Sequence, residues 1–203
     1  MTSELNNHNL EVSQNLQRFT ELIQESLSLI FDGFYKVQLQ YLDQANEKLK
    51  KGHSLLEGIQ KRASASSELQ AEDIADIASI ISNYQKIAFN LEKIGEHTRN
   101  KNREGILFTE KAVTELEELF RGVNNLLTHM NDVINTRNPV LIDYILREKR
   151  NLKKMARDFA TEHEDRLIKG VCMAHSSSIY LYILDGLQDI LWHLQAVVEK
   201  LKN

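Results

Sequence analysis

The sequence predicts an all-α protein built from long helices, and three observations support this. The 203 residues include only eight Gly and one Pro, so the residues that hairpins and tight turns need are scarce. Apolar residues make up 42% and charged residues 27%, which is too apolar for disorder and too charged for a membrane span. Apolar side chains also recur at steps of three and four, the period of an amphipathic helix.

Five breaks divide the chain into six helical segments. The breaks fall at Asp32-Gly33, at the Ser- and Ala-rich stretch 62–70, and at 101–105, 135–139 and 169–178. The segments between them are 9–31, 34–61, 72–100, 107–135, 139–167 and 176–202. At 1.5 Å per residue, each helix should be about 40 Å long. Pro139 stands in the first turn of the fifth segment, where a helix accepts proline.

Apolar stripes support the segments and predict that they pack in a bundle. The third segment has the stripe Ile74, Ile77, Ile81, Tyr84, Ala88, Leu91, Gly95 and Thr98. The sixth has Tyr180, Leu184, Leu187, Leu191, Leu194, Val198 and Leu201. A second row, Ile183, Ile190 and Val197, makes that face wider than a two-stranded seam, which favours a bundle over a simple coiled coil.

The six segments form two sets of three. The matched pairs are Thr20-Glu21-Leu22 with Thr114-Glu115-Leu116, Leu42-Asp43 with Ile142-Asp143, and Glu92 with Asp185, at offsets of 94, 100 and 93. Together these matches favour a duplicated three-helix unit. We expect the first repeat to span residues 1–103 and the second 104–203, within one compact domain.

Several function classes lack support in the sequence. A net charge of −4 does not indicate nucleic-acid binding. The single Cys172 excludes an internal disulfide and a Cys-based zinc site, and it fits a reducing compartment. The first residues do not form a secretory signal. There is no P-loop, nucleophile elbow or His-Glu-x-x-His motif, and no His follows a Glu by three positions as di-iron bundles require. We therefore predict that the chain is not an enzyme.

Two pairs of acidic residues stand out. Glu92 and Glu96 lie four residues apart on the third segment, and Asp185 and Asp189 repeat this spacing on the sixth. Carboxylates at this spacing share a helix face and repel each other. A hard cation such as Mg²⁺ or Mn²⁺ would turn this repulsion into ligation. A solvated acidic face is the other interpretation, and the spacing alone does not decide between them.

The first acidic pair lies within a recognisable signature. The stretch Asn90-Leu91-Glu92-Lys93-Ile94-Gly95-Glu96-His97, followed by Asn100, resembles the "DLERIGDH..N" signature of PhoU-like proteins. The stretch 184–189, reaching His193, resembles a weaker second copy. Residues 104–110 resemble the start of that family's fourth helix, and 157–172 the end of its fifth. The resemblance covers nearly the whole chain, and it is closest to the cytosolic PhoU-like region of sodium/phosphate cotransporter-family proteins.

This resemblance implies two pseudo-symmetric three-helix bundles and metal clusters on the acidic motifs. By position, Glu92 and Glu96 would serve one cluster, and Asp185 and Asp189 the other. Glu148 supplies a further acid on the fifth helix. The ions would be divalent or trivalent metals such as Mg, Mn, Fe or Zn. Lys153 and Ala156 depart from the family pattern in that helix, where a polar and an acidic residue are usual, and Lys153 would repel a cation or replace one.

Other residues near the motifs invite two interpretations each. His97 and His193 could bind metal or hydrogen-bond a ligating carboxylate, or could be ordinary helix-surface histidines. For Trp192 we expect burial rather than a partner contact. The basic stripe, defined as Arg147, Arg150, Lys154 and Arg157 on the fifth segment, could hold an anionic protein, phosphate or an acidic membrane, or could simply be solvated.

The leading functional hypothesis is a cytoplasmic, PhoU-like regulator of phosphate transport and phosphate homeostasis, acting by contact with a phosphate transporter or its sensor. Association with the inner face of the membrane and formation of a homodimer are left open. One alternative is a detached cytosolic C-terminal domain of a sodium/phosphate cotransporter with a structural coupling role. A third hypothesis is a metal-dependent hydrolase built on the bundle.

Overall fold

A computed structural model describes residues 2–66 and 69–202, with side chains from residue 11 onward. Its elements, in chain order, are α1 (Thr2–Lys36), α2 (Leu39–Ala65), α3 (Ala71–Arg103), α4 (Glu110–Thr136), α5 (Pro139–Ile168) and α6 (Ala174–Lys202). Within these described ranges the chain forms helices and no strand. The all-α prediction with six long helices is confirmed.

The predicted break at Asp32-Gly33 is wrong, because α1 continues through it to Lys36. Gly33 instead allows a close approach of two helices. A Cβ atom there would lie 2.7 Å from Cδ2 of Leu42, so only glycine lets the end of α1 pack this closely on the start of α2. The chain turns at Val37, whose φ of 54° is unusual for a β-branched residue.

Polar side chains cap the N-termini of α4 and α5. Oγ1 of Thr109 accepts a hydrogen bond from the backbone N–H of Ala112, so α4 begins at Glu110, three residues later than predicted. Oδ1 of Asn138 accepts one from the N–H of Val140, and Pro139 lies in the first turn of α5 as predicted.

The helices pack as a central group of four with a helix on each flank. α1 packs against α2, α3 and α4, while α4 packs against α1, α5 and α6. α3 and α6 also pack on each other, so they lie side by side above the pair α1 and α4. Gln17 reaches the carbonyl of Asn131 and Ser28 reaches Asn124, which shows that α1 and α4 run antiparallel. On the two flanks, α2 packs against α1 and α3, and α5 packs against α4 and α6.

The pattern of burial recurs between the two halves. Adding 96 to each of the ten buried residues of α3 gives a buried residue of α6. The α6 partners are Ser176, Ser177, Tyr180, Ile183, Leu184, Leu187, Ile190, Leu191, Leu194 and Val197. An offset of 100 likewise places six of the seven buried α2 residues on the six buried residues of α5. This recurrence favours two repeats, although the division into 1–103 and 104–203 stays a prediction.

No helix in the described part of the chain combines the length and apolarity needed to cross a bilayer.

Candidate functional site

The first acidic motif opens onto a groove between α2 and α3. A cavity of about 320 Å³ lies there, lined by Asn46, Lys50, Glu92, Glu96 and Arg99. The groove forms where α2 and α3 pack on each other, and the signature on α3 lies along it. The groove therefore brings acidic and basic side chains together at the position of the PhoU-like signature.

Each carboxylate of this motif interacts with a basic side chain. Nε2 of His53 donates a hydrogen bond to Oε1 of Glu92 at 2.9 Å. Nζ of Lys93 donates to Oε2 of Glu96 at 2.9 Å, and this bond lowers the pKa of the Glu96 carboxyl. His53 had no recognisable pattern in the sequence, since its partner lies 39 residues away on another helix.

A second ion pair closes one end of the groove. Arg99 Nη2 lies 2.7 Å from Oδ1 of Asp43, and the Arg99 side chain is mostly buried while that of Asp43 is exposed. With Lys50 also lining the cavity, the groove holds as many basic as acidic groups. Its electrostatics differ from those of an all-carboxylate cation site.

The second acidic motif does not occupy the equivalent position on α6. The offset of 96 relates Glu92 to Gln188 and Glu96 to Trp192, whereas the sequence match to Asp185 used an offset of 93. The same register relates His97 to His193. Trp192 is 55% exposed, so the expectation of a buried tryptophan is wrong.

Asp185 and Asp189 lie on the exposed side of α6. Partial burial, and to a smaller extent the Asp189 carboxylate, raises the pKa of Asp185 above its usual range. Neither residue forms an ion pair or side-chain hydrogen bond within residues 11–66 and 69–202.

Glu148 lies apart from both aspartates. It accepts a hydrogen bond from Nδ2 of Asn151 on its own helix, at 3.0 Å. Its neighbour Lys149 bonds to Gln195 across α5 and α6, and burial lowers the pKa of this lysine. Glu148 forms no hydrogen bond or ion pair with Asp185 or Asp189, and its side-chain partner lies on its own helix.

The two histidines beside the motifs contact other groups than carboxylates. The ring of His97 stacks on Tyr182, with centroids 4.4 Å apart and planes 6° from parallel. Nδ1 of His193 lies 2.9 Å from Oδ1 of Asn83, and burial lowers the pKa of this imidazole. Both therefore join α3 to α6.

The donor sets do not fit a metal cluster as they stand. Among the side chains of residues 11–66 and 69–202, no three His, Cys, Asp or Glu residues converge on one point. Basic groups occupy the first groove, and an amide and an indole take the equivalent positions in the second half. Metal binding at Glu92, Glu96, Asp185, Asp189 and Glu148 is expected from the resemblance alone, and the metal content of the purified chain measures it directly.

The basic stripe is exposed along α5. Lys154 pairs with Asp158 at 2.9 Å, and the Arg147 guanidinium lies 5.9 Å from the ring centroid of Tyr144. Arg150 and Arg157 have no acidic side chain within 4 Å in the described part of the chain. The stripe thus presents unpaired guanidinium groups to an incoming anion.

Sequence reasoning missed a buried polar cluster that ties α4, α5 and α6 together. Glu115 is 1% exposed and accepts two hydrogen bonds from Arg166, at 2.9 and 2.6 Å. The hydroxyl of Tyr180 donates to the same carboxylate at 2.5 Å, and His163 stacks on the Tyr180 ring. The signal was present, because Glu115 stands between Ala112 and Leu116 on the apolar face of its helix.

No protein-family model matches the chain, and no curated protein matches its sequence. The crystal structure of PhoU from Pseudomonas aeruginosa superposes with a TM-score of 0.86 at 13% identity, covering 97% of this chain and 96% of that one. The chain therefore has the PhoU fold over nearly its whole length, and the fold expected from the resemblance is confirmed.

Proposed function

We propose that this chain is a regulator of phosphate transport that acts through protein contacts in the cytoplasm. The observation that carries the proposal is the PhoU fold over 97% of the chain, with the signature at 90–100 lying on α3 of that fold. Proteins with this signature act in phosphate homeostasis, and the sequence carries no motif of a catalytic centre.

The proposed contact surface is the basic stripe of α5. Its unpaired guanidinium groups suit bidentate hydrogen bonds to carboxylates, and they lie on the outer side of a flanking helix, where a partner can approach freely. We infer that a phosphate transporter or its sensor offers an acidic segment to this stripe. The equivalent helix of the first half, α2, carries Glu47 and Glu57 where α5 carries Arg147 and Arg157, so the two flanks should not compete for one partner.

Deleting the gene that encodes this chain, in the cell it comes from, tests the regulatory role. We expect phosphate uptake and the expression of phosphate-responsive genes to lose their dependence on external phosphate, and the intact chain to restore it. Unchanged uptake and expression in the deletion strain would contradict the proposal.

A charge-reversal pair tests the contact surface separately. Arg150→Glu with Arg157→Glu should fail to restore regulation and to capture the transporter or sensor, whereas Lys51→Glu with Lys61→Glu on α2 should behave as the parent. If the parent chain instead binds vesicles containing phosphatidylserine and captures neither the transporter nor the sensor, the stripe binds a membrane surface, and the proposed protein contact is wrong.

A further inference from the structure

A cavity of about 260 Å³ lies at one end of the second half, between the start of α4, the end of α5 and the start of α6. Three exposed aliphatic side chains line it, those of Leu107, Val171 and Met173. Buried Tyr180 and His163 line it as well. None of the residues that line this cavity belongs to either acidic motif or to the basic stripe, so it is separate from the surfaces described above.

The side chain of His163 brings an unpartnered donor to this cavity. It is 2% exposed, and its ring stacks on Tyr180 with centroids 4.2 Å apart. Nδ1 lies 3.4 Å from Nη2 of Arg166. Because a guanidinium only donates hydrogen bonds, Nδ1 accepts this one and Nε2 carries the proton. The Nε2–H group finds no acceptor among residues 11–66 and 69–202.

The equivalent place in the first half has no such donor. The offsets of 96 and 100 relate Tyr180 to Tyr84 and His163 to the buried Ala63. The hydroxyl of Tyr84 lies 2.8 Å from that of Thr20, so that tyrosine is also satisfied. A methyl group therefore meets the packing needs of this position. A buried N–H without an acceptor destabilises a fold, and a ligand that supplies the acceptor accounts for the histidine.

The electrostatics of the cavity favour an anion as this acceptor. Thr109 and Ala112 line it from the start of α4, and Ser176 lines it from the first turn of α6. The positive ends of two helix dipoles therefore flank the cavity. Among the described residues that line it, none is acidic. The nearby Glu115 carboxylate is neutralised by its two hydrogen bonds from Arg166.

We propose that this cavity binds a small aliphatic carboxylate, whose oxygen accepts the hydrogen bond from Nε2 of His163 and whose chain lies against the apolar walls. The volume is just below the range of about 300–1,000 Å³ that holds drug-sized ligands, so an acid of about eight carbon atoms suits it. The chain covers the exposed side chains of Leu107, Val171 and Met173. This proposal does not depend on the regulatory function proposed above.

Isothermal titration calorimetry of the full chain with sodium octanoate tests the site. We expect one octanoate per chain, with a dissociation constant below about 1 mM. Octylamine has the same aliphatic chain but an ammonium group, which accepts no hydrogen bond and is repelled by helix N-termini. It should bind at least about tenfold more weakly. Acetate should do the same, because it lacks the chain that fills the cavity.

Variants locate the binding at this cavity. His163→Phe keeps the aromatic stack on Tyr180 but removes the N–H donor, and it should weaken octanoate binding at least about tenfold. Val171→Glu places a negative charge at an exposed position of the cavity wall and should weaken binding at least about threefold, whereas Val171→Lys should not weaken it. Val140→Glu is the matched control, at an exposed valine about 35 Å from His163 along α5, and should bind as the parent.

The melting temperature of each variant checks that it still folds. If His163→Phe fails to fold, the two Val171 variants decide, because that side chain is exposed. The proposal is overturned if the parent chain shows no saturable binding of octanoate, or if octylamine binds as tightly. Parent-like binding by a folded His163→Phe variant, or equal binding by Val171→Glu and Val171→Lys, would also overturn it.

Discussion

The imidazole of His53 donates a hydrogen bond to Glu92 across the groove between α2 and α3, with Nε2 and Oε1 2.9 Å apart. The offsets of burial, 96 for α3 and 100 for α2, relate these residues to Gln188 and Lys153. The same groove of the fold thus carries an imidazole and a carboxylate in one half but an ammonium and an amide in the other. The two halves share packing and differ in chemistry.

The basic side chains in the first groove lead to a prediction about how much metal the purified chain contains. We expect less than one metal ion per chain in protein purified without chelator, because His53, Lys93 and Arg99 already engage the carboxylates in the first groove. Elemental analysis by mass spectrometry measures this directly. At least one ion per chain, lost in Glu92→Ala, would instead support the metal site expected from the signature. Asp185→Ala tests the second acidic pair in the same way, and Glu118→Ala, at an exposed acid outside both motifs, is the control.

The Glu115 cluster should dominate the stability of the second half. Replacing Glu115 by Ala leaves the Arg166 guanidinium without its carboxylate in a largely buried site, and we expect the free energy of unfolding to fall by about 3–5 kcal/mol. Urea titration measures the change. Arg166→Ala should cost a similar amount, and the double variant should cost clearly less than the sum.

An exposed acid on the same helix supplies the control for that series. Glu118→Ala should change the free energy of unfolding by less than about 0.5 kcal/mol. Equal losses for Glu115→Ala and Glu118→Ala would mean that the cluster does not stabilise the fold.

Stability should fall as the pH drops below about 6.5, the usual pKa of histidine. Burial, and then the nearby Arg166 charge, lowers the pKa of His163 in the folded chain. Below the unfolded pKa, the unfolded chain takes up a proton that the folded chain refuses, so acid favours unfolding. His163→Phe keeps the aromatic stack on Tyr180 and should flatten the fall in melting temperature between about pH 7.5 and 5.

A second histidine should preserve part of the pH dependence of the melting temperature in the His163→Phe variant. Burial also lowers the pKa of His193, which contributes with the same sign. His129→Phe replaces a histidine outside the buried cluster and serves as the control. A variant lacking His163 that retains the full pH dependence would contradict the assignment.

The turn between α1 and α2 should be open to stabilisation. Val37 adopts a φ of 54°, a conformation that asparagine tolerates better than a β-branched residue does. Val37→Asn should therefore raise the free energy of unfolding by about 0.5–1 kcal/mol in urea titration. Val171→Asn, at another exposed valine, is the control that should show no gain. A loss at Val37 would show that its side chain contributes more than the backbone strain costs.

The helices of this fold could be predicted from the sequence. Scarce Gly and Pro together with three-and-four periodicity predict six helices, and every end except the start of α1 lies within five residues of its observed place. α1 begins seven residues earlier than predicted. The error at Gly33 arose because glycine in a helix signals either a break or a close contact, and the contact with Leu42 comes from another helix. The basic stripe was also predictable as a surface, since its spacing alone puts it on one side of α5.

The site was harder to predict because its partners come from different helices. An offset of 93 or 96 between the halves keeps the apolar faces of α3 and α6 nearly in phase, since three residues are close to one helical turn. Only the packing of side chains on α1 and α4 selects 96, and with it Gln188 and Trp192 in place of two acids.

The chain's own sequence determined the helices, their amphipathic faces and the PhoU-like signature, because these depend on residues within one or two turns of each other. The tertiary structure decided that His53 meets Glu92, that Arg166 meets Glu115, and that Trp192 faces solvent. Such pairings depend on how helices distant in sequence are set against one another, and helical periodicity specifies which side of a helix is buried but not which residue lies opposite it.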